Sequence, residues 1–236
     1  MTTEEQHIFA TYPWSTVPFV VHPKTVSDRL FDILLLIPGC LSVYKQLNSA
    51  SDVDWQEKQK LRLELELTAS SHLKCLHDWW QEYAEGIAIE TGKDACLLYG
   101  LGGEKHPSKP NEPYFRDAFT ASCAASYHAA NIILYSILSF TSSQMDLNDS
   151  VVKSHSSQIL GACSYIIANG SSSAGMLMMV FPLKIVCRWV LDEIARQSAF
   201  ELLSLWGLMK GVDGICTQAA PLYKIPTLLV ARKQST

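Results

Sequence analysis

Three polar side chains recur at helical spacing in a stretch that is otherwise small or apolar. His128, Asn131 and Tyr135 stand at i, i+3 and i+7, with Tyr127 beside them. On a helix these positions share one stripe. Around them are Ala118, Ala121, Ser122, Ala124, Ala125, Ala129 and Ala130, side chains small enough to let neighbouring helices come close. A polar stripe on such a helix must be satisfied by partners, water or a ligand. One reading is a buried hydrogen-bond network completed by Arg188 or Asp192. The other is a pocket wall on which His128 acts as an acid or base, with Tyr135 the second catalytic candidate.

Other residues able to do chemistry are sparser. His77-Asp78-Trp79-Trp80 places two indoles about 100° apart on a helix, so at least one faces the core and the other is a candidate ligand-stacking surface. His72 and His77 are five apart and point to different faces, so they form neither an i, i+4 zinc pair nor an H-E-x-x-H site. Gly100-Leu-Gly-Gly103 runs into Glu-Lys-His, not into the Gly-Lys-Ser/Thr of a phosphate loop. No G-x-S-x-G nucleophile motif occurs. The ligand-pocket candidates are therefore Trp79, Trp80, Tyr127, His128, Asn131, Tyr135 and Arg188, with no metal site and no cofactor implied. Met176, Met178 and Met179 read as core filling.

The seven cysteines, Cys40, Cys75, Cys96, Cys123, Cys163, Cys187 and Cys216, are scattered, and no pair has C-x2-C spacing. They are expected as reduced thiols packed in a core.

The elements that position these residues read as helices. Residues 1–24 carry Pro13, Pro18 and Pro23 among Tyr12, Trp14 and Phe19, and suggest an extended arm. Leu30, Ile33, Leu34 and Ile37 follow the i, i+3, i+4, i+7 pattern behind Ser27, a suitable N-cap. Pro38-Gly39 kinks or ends that helix, and a second piece reaches about Leu47. Ser51-Asp-Val-Asp54 resembles a capping box before a long segment to about Tyr83. Within it Leu61, Leu63, Leu65 and Leu67 alternate with charged residues at a strand period. The Gln, Glu, Lys and Leu flanks favour helix.

Residues 86–111, rich in Gly and Pro, form the longest expected loop, with a short helix near 95–99. Pro113 suits the first turn of the small-residue helix, which extends to about Phe140. Asp149-Ser150 opens another, closed by Asn169-Gly170. Pro182 starts or kinks the next, and Ser198-Ala-Phe-Glu201 is a capping box for the last. The expectation is all-α: an irregular bundle of about six to eight helices, one helical domain over 25–220 and a tail over 221–236.

The composition agrees with that. Of 236 residues, 48% are hydrophobic and 18% charged, which suits a packed core and argues against disorder. The net charge of −4 comes with no basic block. Lys58, Lys60 and Arg62 are interleaved with acids, and Arg232-Lys233 lie near the end. Duplex binding draws affinity from phosphate neutralisation, so direct nucleic-acid binding is not expected. Met-Thr-Thr-Glu-Glu-Gln-His lacks the features of a signal peptide. The apolar stretch 174–191 is broken by Pro182, Lys184 and Arg188, so a buried helix is expected rather than a membrane span. An intracellular, soluble protein of nucleus or cytoplasm follows.

Several segments, taken in order, carry a resemblance. They are Phe-Arg-Asp-Ala-Phe (115–119), Ser-Tyr-His-Ala-Ala-Asn-Ile-Ile-Leu-Tyr (126–135), Gln-Ile-Leu-Gly-Ala-Cys-Ser-Tyr (158–165) and Phe-Pro-Leu-Lys-Ile-Val (181–186). Together with Asp-Ile-Leu-Leu-Leu-Ile-Pro-Gly and Leu-His-Asp-Trp-Trp in the first half, the order resembles the helical regulatory domain of fungal zinc-cluster (Zn2Cys6) transcription factors. The likeness is diffuse over about residues 12–215 and has no catalytic signature. It departs from the family in one respect. The six closely spaced cysteines of the zinc cluster are missing, and the first cysteine is Cys40. The resemblance implies an all-α regulator linked to secondary-metabolite genes, without its own DNA-binding module, acting through a protein partner or a small hydrophobic metabolite. The alternative is a cofactor-independent enzyme of natural-product biosynthesis, of cyclase, isomerase or hydratase type, with its pocket in the bundle. A truncated remnant is the third reading.

Overall fold

A computed structural model describes residues 16–49, 54–87, 115, 117–142, 146–169 and 173–210. Every regular element among them is helical: a 3-10 turn, Val17–Phe19, and α1 Val26–Leu34, α2 Ile37–Ser49, α3 Trp55–Ile87, α4 Ala118–Thr141, α5 Asp146–Ala168, α6 Ser173–Met178, α7 Val180–Trp189 and α8 Glu193–Lys210. The pairs α1/α2 and α6/α7 are each a broken segment, so the architecture is an all-α irregular bundle of six helical segments. The arm residues 1–15, the loop 88–111 with its short helix near 95–99, Pro113, Gly170, Cys96, Cys216 and the tail 221–236 lie outside the described residues.

Local chemistry explains the boundaries, and several differ from the sequence reading. Where an extended arm was expected, Pro18 opens the 3-10 turn. Helix α1 is capped by Thr25 rather than Ser27. The Thr25 hydroxyl accepts from Asp28 N–H and the Asp28 carboxylate accepts from Thr25 N–H, a reciprocal capping box. The break before α2 falls at Leu35–Leu36, not at Pro38-Gly39. Pro38 sits in the first turn of α2, where its missing N–H costs nothing. A continuous helix would drive its ring into the Leu34 carbonyl, so the chain yields just after Leu34, two to three residues before the proline.

Helix α3 starts at Trp55, where the Asp54 carbonyl accepts from Lys58 N–H at 3.0 Å. The expected cap Ser51 lies outside the described residues. The alternating leucines are helical: Leu65 is 2% exposed, Leu63 58% and Leu67 64%. The buried set is Leu65, Ala69, Leu76 and Trp79, spaced for one helix face. Helix-forming flanks and an unbroken run override the short strand-like alternation.

Helix α4 begins at Ala118 because Asp117 caps it. Asp117 Oδ1 accepts from Thr120 N–H at 2.7 Å and Thr120 Oγ1 accepts from Asp117 N–H at 3.1 Å. Helix α5 begins at Asp146, three residues before Asp149, and Asn169 closes it with its own N–H on the Tyr165 carbonyl. Ser198 lies inside α8, not at its start. Asp192 takes the cap position, accepting from Ile194 and Ala195 N–H, and its carboxyl is held below the usual range, first by the Ala195 bond and then by Lys153. Ser198 has no role there because Asp192 already satisfies the first-turn donors.

The chain divides into two compact units, residues 1–83 with 133–148, and residues 84–132 with 149–236. In the first, Trp79 Nε1 donates to the Val26 carbonyl at 3.0 Å and Tyr44 meets Phe140 edge-on with centroids 5.0 Å apart. Lys24 pairs with Asp32 and covers the Phe19 ring. Arg62 on α3 donates to the last carbonyls of α4, Nε to Thr141 at 2.7 Å and Nη2 to Phe140 at 3.1 Å. These acceptors have no intrahelical donor. In the second unit, α8 packs on α7, Phe115 meets Tyr165 edge-on at 5.4 Å and Lys153 pairs with Asp192 at 3.1 Å. Arg196 pairs with Glu193.

Helix α4 is long and apolar enough to cross a bilayer by length and composition, but 78% of its most apolar window is buried within the fold, as in a core helix. Of the thiols described, Cys40, Cys123 and Cys163 are buried and Cys187 is half-buried, whereas Cys75 is exposed, a departure from the expected core position. Replacing Arg62 by alanine removes two charge-assisted bonds to helix-terminal carbonyls. A loss of about 2 kcal/mol is expected in urea unfolding, with partial recovery in Arg62→Lys.

Candidate functional site

The small-residue helix α4 carries its polar groups inward. Ser122 Oγ donates to the Ala118 carbonyl at 2.7 Å and Ser126 Oγ to the Ser122 carbonyl at 2.9 Å. Such bonds to the preceding turn let hydroxyls stay buried, and Ser122 Oγ also lies 3.4 Å from the Gly175 carbonyl. Asn131 uses the same device: its Nδ2 donates to the Tyr127 carbonyl at 2.9 Å. Asn131 is fully buried, and its Oδ1 meets no donor among the described residues. An acceptor left so costs about 1–3 kcal/mol.

One turn earlier, His128 faces α5. Its Nδ1 lies 2.8 Å from Nδ1 of His155. One ring must donate at that contact and the other accept, so the two imidazoles hold opposite tautomers. The donating ring then has an acceptor Nε2 and the accepting ring an Nε2–H. Tyr127 closes around both, its ring edge-on to His128 at 5.1 Å and to His155 at 6.3 Å. Burial, with the neighbouring His155 adding to it, pushes the His128 pKa down to about 3, so His128 is neutral at physiological pH. As a base it is correspondingly weak, since efficient acid–base catalysis needs a pKa near the working pH.

The sequence-derived candidates divide between the two units. Tyr127, His128 and Asn131 belong to the second unit with His155. Tyr135 belongs to the first, where its ring lies 6.5 Å from His77, and burial raises its pKa. Trp79 and Trp80 also belong to the first, 6.2 Å apart. Trp79 is buried and bound to Val26, and Trp80 is half-buried. His72 is partly buried, and that burial lowers its pKa. Arg188 is exposed in the last turn of α7, and Asp192 caps α8. The partner of His128 is thus His155, not Arg188 or Asp192.

His155 escaped the sequence reading, although a signal was present. It stands at i with Ile159, Ala162 and Ile166 at i+4, i+7 and i+11, all three fully buried. A histidine on an apolar stripe is a candidate buried polar group. Which residue it meets is set by the packing of α5 on α4. No group of three or more His, Cys, Asp or Glu placed to hold a metal occurs among the described residues.

No protein-family model, curated protein or solved structure matches the chain.

The His128 environment has a measurable consequence. The unfolded chain takes up a proton near the ordinary histidine pKa of about 6.5, and the folded chain near 3. Stability is therefore full above about pH 6.5 and falls as the pH drops toward 3, with a slope near one proton. Denaturant unfolding between pH 7 and 4 should show this slope, and His128→Phe should flatten it.

Proposed function

We propose that this chain is a regulatory protein of the zinc-cluster transcription-factor type, governing genes of secondary metabolism from the nucleus or cytoplasm. It works through a partner protein or a small hydrophobic ligand rather than by reading DNA with these residues. The observation that carries the reading is the order along the sequence of the segments on which the resemblance rests, four of them in the second half. In the second unit Phe115 of the first segment meets Tyr165 of the third. His128 of the second bonds His155, three residues ahead of the third. The fourth begins in the opening turn of α7. The acidic balance, with no basic block, supports action through a partner.

A second reading, a cofactor-independent enzyme, draws on the coupled histidines, because opposite tautomers supply both a donor and an acceptor. The neutral, weakly basic state of His128 weighs toward binding instead.

Deletion of the gene should lower a coherent set of transcripts, measured by RNA sequencing and restored by complementation. Unchanged transcripts, with one pathway intermediate accumulating by mass spectrometry, would replace this reading with the enzyme.

A further inference from the structure

Two imidazole nitrogens meet between α4 and α5. Nδ1 of His128 and Nδ1 of His155 stand 2.8 Å apart, with ring centroids 5.1 Å apart and planes inclined at 43°. Ligand-spacing motifs do not reveal the pair, because its members are 27 positions apart on two helices. Both helices are held by packing. Ala129 and Ala130 next to His128 in the chain, and Ile159 one turn beyond His155, are fully buried. Tyr127 lies edge-on to both rings. Ligating atoms carried on packed helices keep their separation better than atoms on loops.

That separation is also the bite of a metal ion. Imidazole nitrogens bind first-row divalent cations at about 2.0–2.1 Å. Two of them at a right angle, as on tetragonal Ni2+, are then about 2.8–3.0 Å apart. Two at a tetrahedral angle on Zn2+ are about 3.3–3.4 Å apart. The pair therefore takes a cis-coordinated ion without separating its two nitrogens, and zinc with an opening of about 0.5 Å. In each case the rings turn until both lone pairs face the ion. Both histidines are only partly buried, so water can reach them and supply the remaining ligands.

We propose that His128 and His155 form a two-histidine binding site for a divalent transition-metal ion of the nickel and zinc class, joining α4 to α5. Binding exchanges one N–H···N hydrogen bond for two nitrogen–metal bonds, and the ion gives up two waters. The ring that donates at Nδ1 passes that proton to its own Nε2 through solvent. Both rings end as Nε2–H tautomers and no net proton is released. Mg2+ prefers oxygen ligands and dehydrates reluctantly, so the pair does not take it. The unfolded chain lacks the paired geometry, so bound metal stabilises the fold. The site does not depend on the regulator reading.

The test uses the full chain, without an added histidine tag, carrying isotope-labelled histidine rings assigned in the wild-type protein. Zn2+ is titrated and the ring nitrogens are followed by NMR. The Nδ1 signals of His128 and His155 should shift together, saturably and with one-to-one stoichiometry, and both rings should finish as Nε2–H tautomers. Mg2+ should leave them unshifted. Ni2+ should raise the melting temperature of the wild-type chain. His155→Gln and His128→Phe should each weaken Zn2+ binding by at least about tenfold, since loss of even an outer-shell partner costs about that much.

No saturable shift at the two Nδ1 atoms overturns the proposal. So does Zn2+ binding confined to other histidines or to thiols, an equal response to Mg2+, or an affinity unchanged in both variants. The wild-type titration decides by itself if neither variant folds.

Discussion

Apart from the stripe of His128, Asn131 and Tyr135, helix α4 carries mostly apolar or small side chains, and a helix of that kind is stable only when other helices cover it. Ala121, Ala124, Ala125, Ala129, Ala130, Ile132, Ile133, Leu134 and Ile137 are all buried. Residues 118–132 belong to one compact unit and residues 133–141 to the other, so the helix supplies core to both. Its alanines remove the bulk that would hold neighbours away. Ser122, Ser126 and Thr141 donate to carbonyls of the preceding turn. Its last carbonyls are taken by Arg62 from α3.

The same burial produces the candidate site. The fully buried polar groups of α4 are out of reach of water, so each is either balanced locally or becomes an energetic liability. His128 is balanced by a second histidine and by giving up its charge. Asn131 is half balanced, through Nδ2 alone. The thiols follow the same physics: burial pushes Cys40 and Cys123 up to about 11 and Cys163 to about 12, so these three are packing groups and not nucleophiles.

Helix ends show where one-dimensional reading works and where competing caps decide. The broken segment near Pro38, the long helix across the alternating leucines and the small-residue helix were all legible, because periodicity and breakers act within a few residues. The starts were less so. Thr25 prevailed over Ser27 and Asp192 over Ser198, since several residues in each stretch can cap and only the path of the incoming chain selects one. His155 stood on an apolar stripe of its own helix, yet nothing in that stripe named His128.

The sequence by itself determined the helical class, the inward-facing character of α4 and the small set of polar side chains able to act there. Those properties depend on composition and short-range period. The tertiary structure alone decided that His128 meets His155 across 2.8 Å, that Tyr135 and the tryptophans belong to another unit, and that Asn131 keeps an acceptor without a described donor. Pairing between residues 27 positions apart depends on how α5 packs against α4, and the burial that sets the charge of His128 comes from every helix that covers it.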